Sequence, residues 1–136
     1  MTILIPDSLP ADLWRGRLDL TAAYRVLLLT SAYTWLPEHN RRNDLTGEHA
    51  ATGGYPTGGV AITLSDSIDT STHQHLLVTS AVSIGTGPIV ARWAAVVRWR
   101  GGAASDDDLV FVKDFGRLIA TDGAFSIPAL TIRTFK

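Results

Sequence analysis

Ala91-Arg92-Trp93-Ala94-Ala95-Val96-Val97-Arg98-Trp99-Arg100 carries the strongest periodic signal in the chain. Successive side chains of a strand point to opposite faces. On that spacing Ala91, Trp93, Ala95, Val97 and Trp99 share one face, and Arg92, Ala94, Val96, Arg98 and Arg100 share the other. One face is apolar and the other mixed, which fits a long strand, and Gly101-Gly102 ends it.

Upstream of this strand, residues 24–30 form a continuous apolar run, as expected of a strand buried on both faces. Residues 13–20 alternate imperfectly and read as a short strand. Residues 1–13, punctuated by Pro6 and Pro10, read as an extended N-terminal arm. The 31–54 segment is polar and irregular, with room for one short helix around 35–45. Gly53-Gly54-Tyr55-Pro56-Thr57-Gly58-Gly59 is a dense turn signal. A strand is expected over 59–64, a Ser/Asp/Thr loop over 65–72, and strands over 75–80 and 81–84, broken by Gly85-Thr86-Gly87-Pro88.

Downstream, residues 109–113 and 117–120 read as two short strands flanking a turn at Asp114-Phe115-Gly116. Thr121-Asp122-Gly123 is a tight-turn candidate, and 125–134 supplies one or two closing strands interrupted by Pro128. Seven or eight strands at short spacing predict a mainly all-β fold. The expectation is a single β-sandwich or jelly-roll-like domain over 1–136, with the irregular 31–54 segment inserted.

Composition narrows the function classes. Apolar residues make up 46% and charged residues 18%, which argues for a packed core and against a disordered chain. The net charge of −1 provides no basic field for a phosphate backbone, so no nucleic-acid partner is expected. With no cysteine, disulfides, thiolate metal sites and cysteine nucleophiles are excluded. The apolar runs fall well short of the ~20 residues of a membrane span, and the N-terminus lacks a basic region, so a soluble protein without a signal peptide is expected.

His73-Gln74-His75 is the one metal candidate, because histidines at i and i+2 of a strand share a face. No third ligand is evident, and a solvated strand face is the simpler reading. Asp106-Asp107-Asp108 lacks the spacing of a calcium loop and reads as a solvated hairpin tip whose charges blunt an edge. The glycines of 53–59 lack the Lys-Ser/Thr ending of a phosphate loop. No G-x-S-x-G elbow is present, and Glu38 and Glu48 imply no catalytic pair. No enzyme and no cofactor are expected. Arg92, Arg98 and Arg100 among tryptophans suit a protein interface.

Several blocks together resemble a family of tailed-bacteriophage virion proteins. Leu27-Leu28-Leu29-Thr30-Ser31-Ala32-Tyr33-Thr34 is similar to that family's strand and "TSSYT" opening, and Gly53-Gly54-Tyr55-Pro56-Thr57-Gly58-Gly59-Val60-Ala61 to its "GTGYTAGGVAL" block. Ala91-Arg92-Trp93-Ala94-Ala95-Val96-Val97 resembles its "ARYAVVY" strand, and Asp114-Phe115-Gly116 its "DFG" turn. Order and spacing agree over roughly residues 18–130. Residues 1–17, the Arg41-Arg42 segment and Ile84-Gly85-Thr86-Gly87-Pro88 have no counterpart.

The resemblance implies a non-enzymatic structural protein, assembled in the host cytoplasm and located in the virion. Its first expected role is capsid decoration (cement), bound to the major capsid protein or neighbouring virion proteins as a homo-oligomer. A neck or tail subunit is the alternative. A glycan-binding module using Trp35, Tyr55 or Trp93 is the alternative of another class. Interface residues are expected on the arm (Ile3, Ile5, Pro6), in the irregular segment (Trp35, Arg41, Arg42) and on the long strand (Arg98, Arg100).

Overall fold

The apolar runs at 24–29 and 89–98 can bury their backbone only by pairing with each other or with similar strands. A computed structural model, which describes residues 2–9, 19–52, 54–84, 87–123 and 125–133, shows how they do so. The strands are β1 (Thr2–Leu4), β2 (Tyr24–Leu29), β3 (Val60–Ile62), β4 (Leu64–Asp69), β5 (Gln74–Thr79), β6 (Val82–Ile84), β7 (Ile89–Arg98), β8 (Leu109–Thr121), β9 (Phe125–Ile127) and β10 (Thr131–Arg133). Among the described residues, strands hold 49% and no helix reaches seven residues, so the fold is all-β and sandwich-like.

Five strands form the main sheet in the order β1-β8-β7-β2-β3, and β10-β5-β4 and β6-β9 form smaller sheets. The β2–β7 ladder is antiparallel, with Val26 opposite Val96 and Leu28 opposite Ala94. One face of the main sheet presents Tyr24, Val26, Leu28, Ala94, Val96 and Phe111 to a core completed by Leu64 and Leu77 of the β4–β5 hairpin, Ile84, Phe125 and Ile132. Phe115 and Phe125 meet edge-on with ring centroids 5.9 Å apart, a favourable arrangement for two aromatic quadrupoles.

The opposite face is also apolar. Leu27, Leu29, Ala95, Val97, Leu109 and Val112 lie there, and the irregular segment covers them with Tyr33, Trp35 and Leu45, helped by Leu4 of β1. This strap is stitched to β2 by Thr30 N donating to Gly47 O (2.8 Å) and His49 N to Leu28 O (2.8 Å). Its far side is held by Leu109 N donating to Asn40 O (3.0 Å). The helix expected at 35–45 is reduced to a single 3-10 turn at Arg42–Asp44, flanked by bonds that tie the backbone to the sheet side, Arg42 N to Asp107 O and Leu109 N to Asn40 O.

Three further expectations are corrected. Residues 65–72, read as a loop, are mostly strand β4, which pairs with β5 in the register Ser65↔Val78 and Ser67↔Leu76. Its residues from Ser65 to Ile68 are exposed, so no buried alternation marked it. The two strands around Asp114-Phe115-Gly116 are one strand, β8, and the triplet forms a bulge rather than a turn. Between Ala91↔Ile119 and Trp93↔Asp114, β7 advances by two residues and β8 by five.

That bulge also changes the facing of β7. Ala91 belongs to the main core with Ala94 and Val96, whereas Trp93, Ala95 and Val97 face the strap. Strict alternation had put Ala91 with Trp93; the bulge at Arg92 shifts the parity by one, as bulges do. The expected strand at 13–20 lies mostly outside the described residues, and Asp19 and Leu20 are not in a strand. Of the N-terminal arm, Thr2–Leu4 is not free but pairs with Val112–Asp114 of β8.

Gly59 is a point of close approach that only glycine permits. Its φ is +90°, and an added Cβ would stand 2.3 Å from the Val26 carbonyl oxygen. Gly101 has φ +79° with nothing within 4 Å. Gly59→Ala should therefore lose more than ~3 kcal/mol in urea unfolding, combining strain and clash. Gly101→Ala should lose about 1 kcal/mol, the cost of the left-handed backbone alone.

Candidate interaction surface

Of the arginines singled out for an interface, Arg41, Arg42, Arg98 and Arg100 converge at one end of the main sheet, where β7 leaves as Arg98-Trp99-Arg100 and β8 enters as Asp106-Asp107-Asp108. Asp107 is 0% exposed. Its carboxylate accepts from Arg42 Nε at 2.6 Å and from the Arg100 backbone N at 2.9 Å. Its carbonyl accepts from Arg42 N at 2.8 Å. Asp108 pairs with Arg41 and, at 2.9 Å, with Arg100 Nη2. Arg98 donates its backbone N to Asp108 O at 2.8 Å.

Trp99 completes the cluster. The guanidinium of Arg25 lies 3.9 Å from its ring centroid and that of Arg42 lies 4.5 Å away, distances at which the ring's negative face attracts a cation. Gly58 makes room for the indole, since a Cβ there would stand 2.9 Å from Trp99 Cη2. The aspartate triplet is thus not the solvated tip expected of it. A carboxylate can be buried only with its charge matched, and Arg42, 60-odd positions away in sequence, supplies the match for Asp107. Arg41, Arg42 and Arg100 serve the strap–sheet clamp.

A second polar network lies where the strap returns past β2. Tyr55 is buried, donates its hydroxyl to Glu48 Oε2 at 2.7 Å and accepts from Leu28 N at 3.2 Å. Glu48 Oε2 also accepts from Gly58 N at 2.7 Å. His49 Nε2 lies 3.2 Å from the Val90 N–H, and an amide can only donate, so Nε2 is the acceptor and Nδ1 carries the proton toward Ala50 O at 2.6 Å. Both ring nitrogens are thereby committed. Burial, and then the Glu48 carboxylate, push the Tyr55 phenol above its ordinary pKa; burial, and then Asp44, do so for Tyr33, whose hydroxyl is 2.8 Å from His39 Nδ1.

At the β8 bulge, Arg92 Nε lies 3.0 Å from Asp114 Oδ1, which also accepts from Gly116 N at 2.7 Å. The Arg92 hydrogen bond holds the Asp114 carboxyl below its usual range.

The remaining candidates scatter. His73 sits in the turn before β5 with φ +59°, so it does not share a strand face with His75. His75 lies on β5 with Nε2 3.1 Å from Asp66 Oδ2. Among the described residues, no three His, Asp or Glu side chains are grouped to hold a metal ion. Of the aromatics weighed for glycan binding, Tyr55 is buried, and Trp35 and Trp93 are half-buried in the strap core, Trp93 edge-on to Tyr33 at 5.5 Å. On the arm, Ile3 packs against the main core, Pro6 is buried and Ile5 is exposed. No helix of the described residues is long and apolar enough to cross a membrane.

Two surface features have no sequence signal. One is the outer edge of β4, which ends its sheet and carries Ile68 at 65% exposure. The other is the outer edge of β8 beyond Asp114, where β1 no longer pairs and Leu118 is 50% exposed. Ile68 falls in a stretch that reads as loop, and Leu118 in a short strand at 117–120 whose sequence does not show which side lacks a partner. Compared with known proteins, the chain matches no protein-family model, no curated protein and no solved structure.

Two predictions follow from the networks. Asp107→Ala should cost ~3–5 kcal/mol by leaving Arg42 unmatched, whereas Asp108→Ala, at a partly exposed pair, should cost less than about 1 kcal/mol; denaturant titration separates them. The tyrosines set the alkaline limit. A phenol whose pKa is raised on folding ionises first in the unfolded chain, so its stabilisation is complete below pH ~10 and lost as pH rises further. Unfolding free energy should fall above that pH, and Tyr33→Phe should make the fall shallower.

Proposed function

We propose that this chain is a non-enzymatic structural protein of a tailed-phage virion, and within it a capsid decoration protein seated on the major capsid protein. The observation that carries the reading is where the four resembling blocks lie. Residues 27–34 are the end of β2 and its exit into the strap. Residues 54–59 lead into β3, which holds Val60 and Ala61 and pairs with β2; residues 91–97 lie in β7; and Asp114-Phe115-Gly116 is the bulge of β8. All four thus fall on the five-stranded sheet or on the segments leading into and out of it.

Blocks that share one sheet describe a framework rather than a site. Gly59 at its close approach, the apolar centre of β7 and the Arg92–Asp114 bulge are requirements of packing, and none places a nucleophile or an acid–base pair. A protein of this design acts through its outer surface. Decoration proteins work that way, adding a rigid module to a shell of repeating subunits, with closed symmetry governing how many fit.

Quantification of this chain against the major capsid protein in purified virions tests the reading. Decoration requires copies on the scale of the capsid protein itself. A ring-like stoichiometry far below that would move the protein to the neck or tail, and absence from the particle would end the virion reading.

A further inference from the structure

We propose that copies of this chain join by strand addition, the outer edge of β4 in one copy pairing antiparallel with the outer edge of residues 117–121 of β8 in the next. The inference rests on the reading of the chain as a protein that packs against its neighbours, and it names one of those neighbours as a second copy. Unpaired strand edges present rows of N–H and C=O groups that another strand can satisfy.

Both edges are open among the described residues. β4 is the last strand of its sheet, and its residues Ser65 to Ile68 are exposed even though Leu64 is buried, so the hairpin reaches beyond the core. β8 is paired by β1 only from Val112 to Asp114. Arg117, Leu118 and Ala120 are exposed, and a Cβ added at Gly116 would meet nothing within 4 Å.

Charge decides which edges meet. β4 paired with β4 of another copy would gather the Asp66 and Asp69 carboxylates of both chains and add no cation beyond the Arg133 that already pairs with Asp69 at 3.1 Å. The β8 edge paired with itself would bring two Arg117 side chains and no carboxylate. One register of the unlike pair sets Ile68 opposite Leu118, Ser65 opposite Thr121, and Arg117 opposite Asp69, where it joins Arg133 at 3.1 Å from that carboxylate; Ser67 then faces Ile119 and Asp66 faces Ala120. Apolar pairs, opposite charges and hydroxyl pairs are the cross-strand combinations that stabilise antiparallel sheets. The contact is heterologous, so each joined pair keeps one free edge of each kind.

Sedimentation equilibrium of the full-length chain tests this. The wild-type mass should rise above that of the monomer with concentration. Ile68→Glu and Leu118→Glu, both at exposed positions, should each remain monomeric with unchanged unfolding curves. Mixed together they should form a dimer of one each and nothing larger, because each variant retains the edge the other has lost. If Leu118→Glu fails to fold, Arg117→Glu replaces it, and if Ile68→Glu fails, Ile68→Lys does. A wild-type chain monomeric at every concentration, a variant that associates like wild type, or a mixture that stays monomeric would overturn the proposal. An oligomer abolished by Ile68→Glu but not by Leu118→Glu would also overturn it, assigning a β4-to-β4 contact. Virion copy number remains a separate measurement, so failure here leaves the decoration reading standing.

Discussion

The middle of the main sheet is apolar on both faces, and that constraint shapes everything around it. Leu28, Ala94 and Val96 need one cover and Leu27, Ala95 and Val97 need another. The small sheets supply the first. The second comes from a segment with almost no regular structure, because a strap can follow the twist of a sheet while satisfying its own amides on the sheet's carbonyls. A third layer of strands would have needed partners of its own.

A strap held internally only by isolated turns, such as His39 N to Leu36 O and Asp44 N to Arg41 O, needs anchors, and the chain places them where its charges are. Arg41 and Arg42 sit at the strap's far bend, and the hairpin of β7 and β8 turns Asp107 and Asp108 toward them. Arg42 holds Asp107 with its Nε and stacks on Trp99, which Arg25 of β2 also approaches. One guanidinium therefore neutralises a buried carboxylate and rests on an aromatic face. The Glu48–Tyr55 pair does comparable work at the near end, bringing the turn before β3 onto the Leu28 amide.

Legibility in the sequence followed burial. Residues 24–29 and 89–98 were readable because buried strands must be apolar, and the turns at 53–59 were readable because positive φ demands glycine. Strand β4 was not, since Ser65, Asp66 and Ser67 face solvent and carry the composition of a loop. The parity shift at Arg92 was invisible because nothing in a run of alternating residues marks where a partner strand inserts three extra ones. Arg42 and Asp107 were each noticed, but apart; an ion pair between segments so distant in the chain leaves no local pattern. The open edge of β4 was missed with the strand itself, and that of β8 because a short strand at 117–120 does not show which of its sides lacks a partner.

Strand β8 runs without interruption from the clamp at Leu109 to the uncovered edge at Leu118. Its inner end is locked between β7 and β1, and its outer end is the part another molecule can grip. A pull on that outer end, directed along the strand, would load its pairs with Ile89, Val90 and Ala91 together and pass through the bulge to the rest of the β7–β8 ladder. The long strand is then a tie rod, carrying tension from the rim of the molecule to its best-anchored point.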